Sequence, residues 1–326
     1  MMPSNKPDSP STGPESATPA PETPLAEVLI SSDPQRLEQV KQQILAAGDL
    51  PTLPMIALQV SRLASNPFSG MSEIVRIIRN DPPLTTKILR VANSAFYGMP
   101  RRIESLNMAL VVLGMRELNN LVTCITVLRT FPPAAGGHAF NRRMFWEHSA
   151  GCGEIARVIA TRLHLRLHGI EFTAGLLHDV GKIVFEQHLH APFVAAVNLM
   201  NSEGLASVDA ERRTIGVDHA EIGSWLAEKW SLPPSIVEAI RYHHQPALAP
   251  EHAALTAVVR LADLFTTLLL QPARRARLSE QLVTDNAWEI LSRQNPDIIS
   301  LDVVRFAEEL EENMERAREF IRSAAE

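Results

Sequence analysis

Apolar residues recur in this chain at three- and four-residue intervals from about residue 35 onward, and nowhere does apolar alternate with polar over the roughly 4–8 residues of a half-buried strand. Phe145, His148, Cys152, Ile155 and Ile159 form one such stripe; Leu84, Ile88, Leu89 and Val91 form another. This periodicity commits the backbone to helices, and an aromatic content of 5% leaves little of the side-chain bulk that strands favour. The fold class expected is therefore all-α. At 326 residues the chain is long enough for one or two domains of roughly 100–200 residues each, with cores that need no staples. Its two cysteines, Cys124 and Cys152, sit among apolar residues, which suits a reduced intracellular compartment.

Breakers divide the helical pattern. Residues 1–33 are rich in Pro and Ser and too poor in apolar side chains to offset the entropy of ordering, so they read as a disordered tail without the basic start and apolar run of an export signal. A first helix is expected from Pro34 to Ala47, with Asp33 as its cap and Gly48 just past its end. Residues 34–135 read as a helical lobe of short segments: Pro54–Ala64, one opening at Ser72, one opening at Asp81-Pro82-Pro83, then Ser105–Leu113 and Arg116–Leu128. A Pro/Gly-rich link, Phe131 to His138, leads to a second lobe at 136–272. Residues 273–326 form a helical extension whose Phe306, Leu310, Met314 and Ile321 suit docking on the body or on a partner helix. No apolar run reaches the ~18 residues of a membrane span, since Met108–Leu128 is broken by Arg116, Glu117, Asn119 and Asn120. A cytoplasmic chain without membrane contact is expected, and a net charge of −6 argues against a broad nucleic-acid footprint.

The second lobe carries a spaced set of candidate ligands: His148, His178-Asp179, His219, His243-His244 and Asp263. His148 lies on an apolar stripe and should point inward. His219 opens a helix capped by Asp218, with Glu221 placed for a capping box. Asp263 stands between Val259 and Thr266 in an apolar helix, where a buried carboxylate needs a partner. Taken singly, each is most simply a hydrogen-bonded core or surface residue; as a set, imidazoles and carboxylates converging from several helix ends are what a one- or two-ion transition-metal site requires. An aspartate between histidines can bridge two ions, and Lys182, three residues after Asp179, could neutralise a phosphate oxygen. His164 and His168, the run Arg274-Arg275-Ala276-Arg277 and the pair Arg101-Arg102 read as solvated surface. The sequence contains no Gly-rich phosphate loop, CxxC pair or nucleophilic serine motif.

The text LLHDVGK at 176–182, within the order H, HD, H, HH, D, resembles the HD metal-dependent phosphohydrolases, and the wider spacing resembles their HD-GYP cyclic-dinucleotide branch. Upstream, LPTLP at 50–54, DPPLTTKILRVANSAFYG at 81–98 and IESLNMALVVLGMREL at 103–118 resemble the HDOD domain, a bacterial signalling relative; together the likeness covers roughly 45–270. It implies a two-lobed helical bundle with an HD-like second lobe. It also implies one or two divalent ions, iron, manganese or zinc, on His148, His178, Asp179, His219, His243, His244 and Asp263, with Lys182 beside them and catalytic only in an enzyme. Most HDOD members have lost part of this set and are regarded as non-catalytic; this chain keeps it. It departs from HD-GYP proteins after His244, where Gln245-Pro246-Ala247-Leu248 lacks their acidic residue and GYP loop, and at Met144, where some carry an extra carboxylate, so a third ion is not expected. The function expected is a signal-transduction module acting through contacts with signalling proteins, with a nucleotide as a further candidate ligand. The alternative is a metal-dependent phosphohydrolase acting on a nucleotide or cyclic dinucleotide.

Overall fold

A computed structural model describes residues 38, 41–42, 52, 54–65, 70–131, 140–167, 169–270, 280–282, 284–293, 295, 298 and 302–325. The expected tail 1–33, most of the expected helix Pro34–Ala47, the link at 132–139, His168 and the Arg274–Arg277 run lie outside them. Among the described residues the chain is all-α, in two helical lobes with no strand.

The first lobe holds α1 (Met55–Ser65), α2 (Met71–Arg79), α3 (Pro82–Ala92) and α4 (Leu106–Thr130). Asp81 caps α3 by accepting from the Leu84 amide at 2.9 Å, and Pro82 occupies the first helical position, where no amide hydrogen is missed. The two segments expected at Ser105–Leu113 and Arg116–Leu128 meet in α4 at a kink on Gly114, whose φ of 84° and ψ of 166° are non-helical. Phe131, at the end of α4, is fully buried, and its carbonyl accepts from Trp146 Nε1 at 2.8 Å, fixing the start of the second lobe against the first.

The second lobe runs through α5 (Arg142–Arg162), α6 (Ile170–Leu177), α7 (Gly181–His188), α8 (His190–Glu203), α9 (Ser207–Thr214), α10 (His219–Lys229), α11 (Pro234–Tyr242), a 3₁₀ turn at Pro246–Leu248 and α12 (Ala253–Leu270). Two close approaches set its geometry. A Cβ on Gly175 of α6 would lie 2.7 Å from Gly153 Cα of α5, so these helices touch backbone to backbone; a Cβ on Gly181 would run into the His219 carbonyl, so α7 lies equally tight against α10. Short α13 (Ala287–Ser292) and α14 (Val303–Glu309) precede α15 (Glu311–Ala325), which docks on the body, burying Met314, Phe320 and Ile321.

One core cluster is continuous across both lobes, from Ile78, Ile88 and Ile125 to Leu176, Ile222 and Trp225; another joins α5 and α12 to the C-terminal helices through Ile155, Phe265, Phe306 and Leu310. Where α15 meets both lobes, Phe96, Phe172 and Phe320 form a triangle with ring centroids 5.1–5.5 Å apart. By length and apolar content α4 and α12 are each long enough to cross a membrane, which corrects the expectation that no run here is; their apolar windows are 50% and 61% buried in this fold.

Candidate metal centre

Each candidate side chain reaches the centre from a different helix end or face. His148 projects from the first half of α5, and Asp263 from the middle of α12. His178 and Asp179 occupy the sharp turn between α6 and α7, His219 is the first residue of α10, and His243 and His244 follow the last residue of α11. The Asp218 carboxylate caps α10 by accepting from the Glu221 amide at 2.9 Å, as expected. The reciprocal half of the expected capping box is replaced, because Glu221 Oε1 accepts instead from Trp225 Nε1 at 2.9 Å.

Hydrogen bonds on the far side of the rings orient the imidazoles. His178 Nδ1 lies 2.7 Å from the Gly175 carbonyl, and His243 Nδ1 lies 2.7 Å from that of Ile240. A carbonyl can only accept, so in both rings Nδ1 carries the hydrogen and Nε2 faces the centre. His219 does the same against a charged partner, Glu211 Oε2, at 2.6 Å. The result is a crowd of ring nitrogens: His219 Nε2 is 3.3 Å from His243 Nε2 and 2.9 Å from His244 Nε2. Lone pairs at such range repel unless a proton or a cation lies between them. His178 Nε2 is buried and has no hydrogen-bond partner.

Asp179 divides this crowd. Its Oδ1 is 3.0 Å from His219 Nε2 and 3.7 Å from His243 Nε2, while Oδ2 is 3.4 Å from His178 Nε2, 3.9 Å from His148 Nε2 and 2.6 Å from Lys182 Nζ. Asp263 Oδ1 completes the second side, 3.2 Å from His148 Nε2 and 3.8 Å from His178 Nε2. Within this cluster, ligand atoms of His219, His243 and His244 lie within 4.8 Å of one another, and so do those of His148, His178 and Asp263. The structure thus brings all seven expected residues together, with Lys182 beside them.

The electrostatics call for positive charge at the middle. Burial opposes ionisation of Asp179, yet His178, Lys182 and His219 hold its carboxyl well below the ordinary range. At Asp263, burial is outweighed by the neighbouring His148 and His178 rings, which hold the carboxyl well below the ordinary range. Burial also works against the charge of His178 and His219, but Asp179 and Cys152 lift His178 well above the ordinary value, and Glu211 above all lifts His219 to about 9. His243 and His244 are pushed well below theirs by burial and then by neighbouring imidazoles. Nitrogen and oxygen donors, an orphaned buried Nε2, the buried Asp179 carboxylate and the partly buried Asp263 carboxylate fit divalent transition ions.

Two features escape the sequence reading. Glu211, buried to 1% exposure, lies in the polar stretch SVDAERRT, which reads as a solvated helix face. The other is a cavity of about 390 Å³ whose lining includes His244, Arg212, Arg241 and Arg260. Each arginine is already engaged, Arg212 with Asp218 at 2.6 Å, Arg241 with Glu228 at 3.0 Å and Arg260 with Asp285 at 2.8 Å. His164, expected at the surface, is exposed. A further group, Glu238, Glu251 and His252, serves the backbone: Glu238 Oε2 accepts the amides of Glu251 and His252 just before α12.

A family model of the HDOD domain matches residues 50–246, a span that contains every member of the cluster except Asp263. An uncharacterised protein of Treponema pallidum is 29% identical over 218 residues, 66% of this chain and 42% of its own length. Ribonuclease Y of Thermus thermophilus is 29% identical over 165 residues, 50% of this chain and 23% of that enzyme. The chain therefore spans less than half the length of these curated relatives. Among solved structures, an HDOD domain protein of unknown function from Geobacter sulfurreducens superposes with a TM-score of 0.75 at 27% identity, covering 88% of this chain and 99% of the other. A candidate phosphohydrolase from Shewanella amazonensis gives 0.67 at 25% identity, covering 89% and 98%.

Proposed function

Since the chain belongs to the HDOD domain family, we propose that it is a signal-transduction module of the bacterial cytoplasm that binds one or two divalent transition-metal ions, iron, manganese or zinc, and acts through protein–protein contacts. The observation that carries the metal reading is the division of Asp179, whose two oxygens face different sets of histidines. His148, His178 and Asp263 would hold one ion on the Oδ2 side; His219, His243 and His244 would hold the other on the Oδ1 side. Ions so bound supply Lewis acidity and acidify water.

Turnover would further require groups that hold a substrate in line and stabilise charge as it develops. The segment after His244 supplies none: Gln245 to Pro250 carries no charge and folds into a short 3₁₀ turn. The three arginines on the cavity wall are committed to their own carboxylates. These features favour signalling over hydrolysis. The contact surface assigned to signalling proteins is residues 81–118 with α15, where the adjacent Val111 and Val112 of α4 are 79% and 44% exposed.

A second reading, a metal-dependent phosphohydrolase acting on a nucleotide or cyclic dinucleotide, is favoured by the cavity beside His244 and by Lys182 at Asp179. Metal analysis of the chain purified without chelator tests the first claim, and a chain free of iron, manganese and zinc refutes it. Steady-state assays of the iron- and manganese-loaded chain on cyclic dinucleotides separate the two readings: no turnover is expected, and kcat within about 1–10³ s⁻¹ establishes the enzyme.

A further inference from the structure

The far-side partner of each buried ring distinguishes His219 from its neighbours. His178 and His243 lean on carbonyls three residues back in their own helices, partners that any helix would offer. His219 leans on a carboxylate eight residues upstream, on another helix. Glu211 Oε2 receives both the His219 backbone amide, at 2.9 Å, and Nδ1, at 2.6 Å, and the residue is 1% exposed. The turn from Ile215 to Asp218, with Gly216 at a φ of 86°, folds α10 back so that this carboxylate meets its first residue. A buried carboxylate is costly unless it is paired. Capping α10 accounts for only part of it: Asp218 takes the Glu221 amide and Glu211 Oε2 that of His219, but Glu211 also meets the His219 ring.

We propose that Glu211 is the positioning residue of the His219, His243 and His244 side of the centre: it fixes the ring orientation and tautomer of His219 and lends it negative charge. This rests on the metal-binding reading above. A carboxylate behind a ligating imidazole locks Nδ1 as the protonated nitrogen and makes Nε2 a stronger donor. The Asp263 side has no such support, and its shared oxygen, Asp179 Oδ2, is already 2.6 Å from the Lys182 ammonium. The direct contacts of Glu211 therefore fall on the His219 side, although its charge also reaches the Lys182 ammonium.

The test uses the full chain stripped with chelator and titrated with manganese(II) and zinc(II), comparing wild type with Glu211→Gln, Glu211→Ala and Asp263→Asn. Two binding events are expected in wild type. Glu211→Gln, which keeps size and hydrogen bonding but loses the charge, should weaken by about 10–100-fold the event that Asp263→Asn spares, and leave the other intact. Glu211→Ala should do so more severely, and circular dichroism checks that each variant folds. A readout independent of metal is the His219 Nδ1 proton in the metal-free chain: it should resonate far downfield in wild type and lose that shift in Glu211→Ala. Unchanged affinities in Glu211→Gln, an equal fall in both events, or an ordinary wild-type Nδ1 shift overturns the proposal. A downfield proton in a wild type that binds no metal overturns the metal reading, and the positioning role with it, while leaving the Glu211 to His219 contact in place.

Discussion

Asp179 is 3% exposed and faces cationic groups on both sides, so what its removal does depends on what else fills the centre. Asp179→Ala should abolish retention of metal, read by elemental analysis, because no other carboxylate reaches both sets of histidines. In the stripped variant the Lys182 ammonium loses its partner, and denaturant unfolding should show a loss of about 3 kcal/mol. The histidines also set a pH dependence. His219 titrates at about 9 because burial, which alone would lower it, is outweighed chiefly by Glu211 and also by Asp179. Its raised value means that the folded metal-free chain holds a proton there that the unfolded chain releases near pH 6.5. Stability from this proton is fully present below about 6.5 and lost as pH rises through about 9. Metal binding needs the ring unprotonated, so affinity should rise across the same interval; an opposite slope in either measurement contradicts the assignment. The seven clustered residues were legible in sequence because histidine and aspartate are conspicuous inside apolar helices. Glu211 was not, because only the turn at Gly216 buries it, and nothing in its own helix distinguishes it from a solvated glutamate.

Among the helices, the approach of α5 to α6 does most to place the centre. Gly175→Ala would press a methyl against Gly153 and the α5 backbone, where no flexible side chain can give way. The expected cost is about 1–3 kcal/mol in urea unfolding, with a parallel loss of metal, since His148 and His178 ride on the two helices forced apart. Helix positions were readable where local chemistry marks them: Asp81 with Pro82 starts α3, Asp218 starts α10, and Gly114 interrupts α4 at the junction of the two segments expected there. Membrane-span length was misjudged because Arg116, Glu117, Asn119 and Asn120 look like interruptions in sequence, yet they fall inside one helix, α4, that keeps an 18-residue apolar window. The close helix contacts themselves left no sequence signal beyond glycine, a residue that turns use just as often.

At the scale of the whole molecule, the two lobes are joined by more than the link that connects them in sequence. Phe96 from the first lobe, Phe172 from α6 and Phe320 from α15 meet edge to face or tilted, all nearly or fully buried. Arg157 stacks over the Phe96 ring, 5.5 Å from its centroid, and Lys87 Nζ donates to the Ala324 carbonyl at 2.7 Å. Phe320→Ala should cost about 3–5 kcal/mol and lower the thermal midpoint, and a variant as stable as wild type would show that α15 is dispensable to the body. The apolar stripe of α15 was visible in sequence, but its partners were not, because contacts between residues about 150 to 240 positions apart leave no local trace. The triangle also has a mechanical consequence. Phe172 stands in the first turn of α6 and His178 caps that helix's far end, six residues and about 9 Å away, so the clamp between the lobes and the histidine cluster are loaded in series. Tightening either end takes slack out of the other, and hydrogen exchange should report it: amides of 170–177 and 311–325 slowing together when metal is added, and together regaining their speed when it is withdrawn.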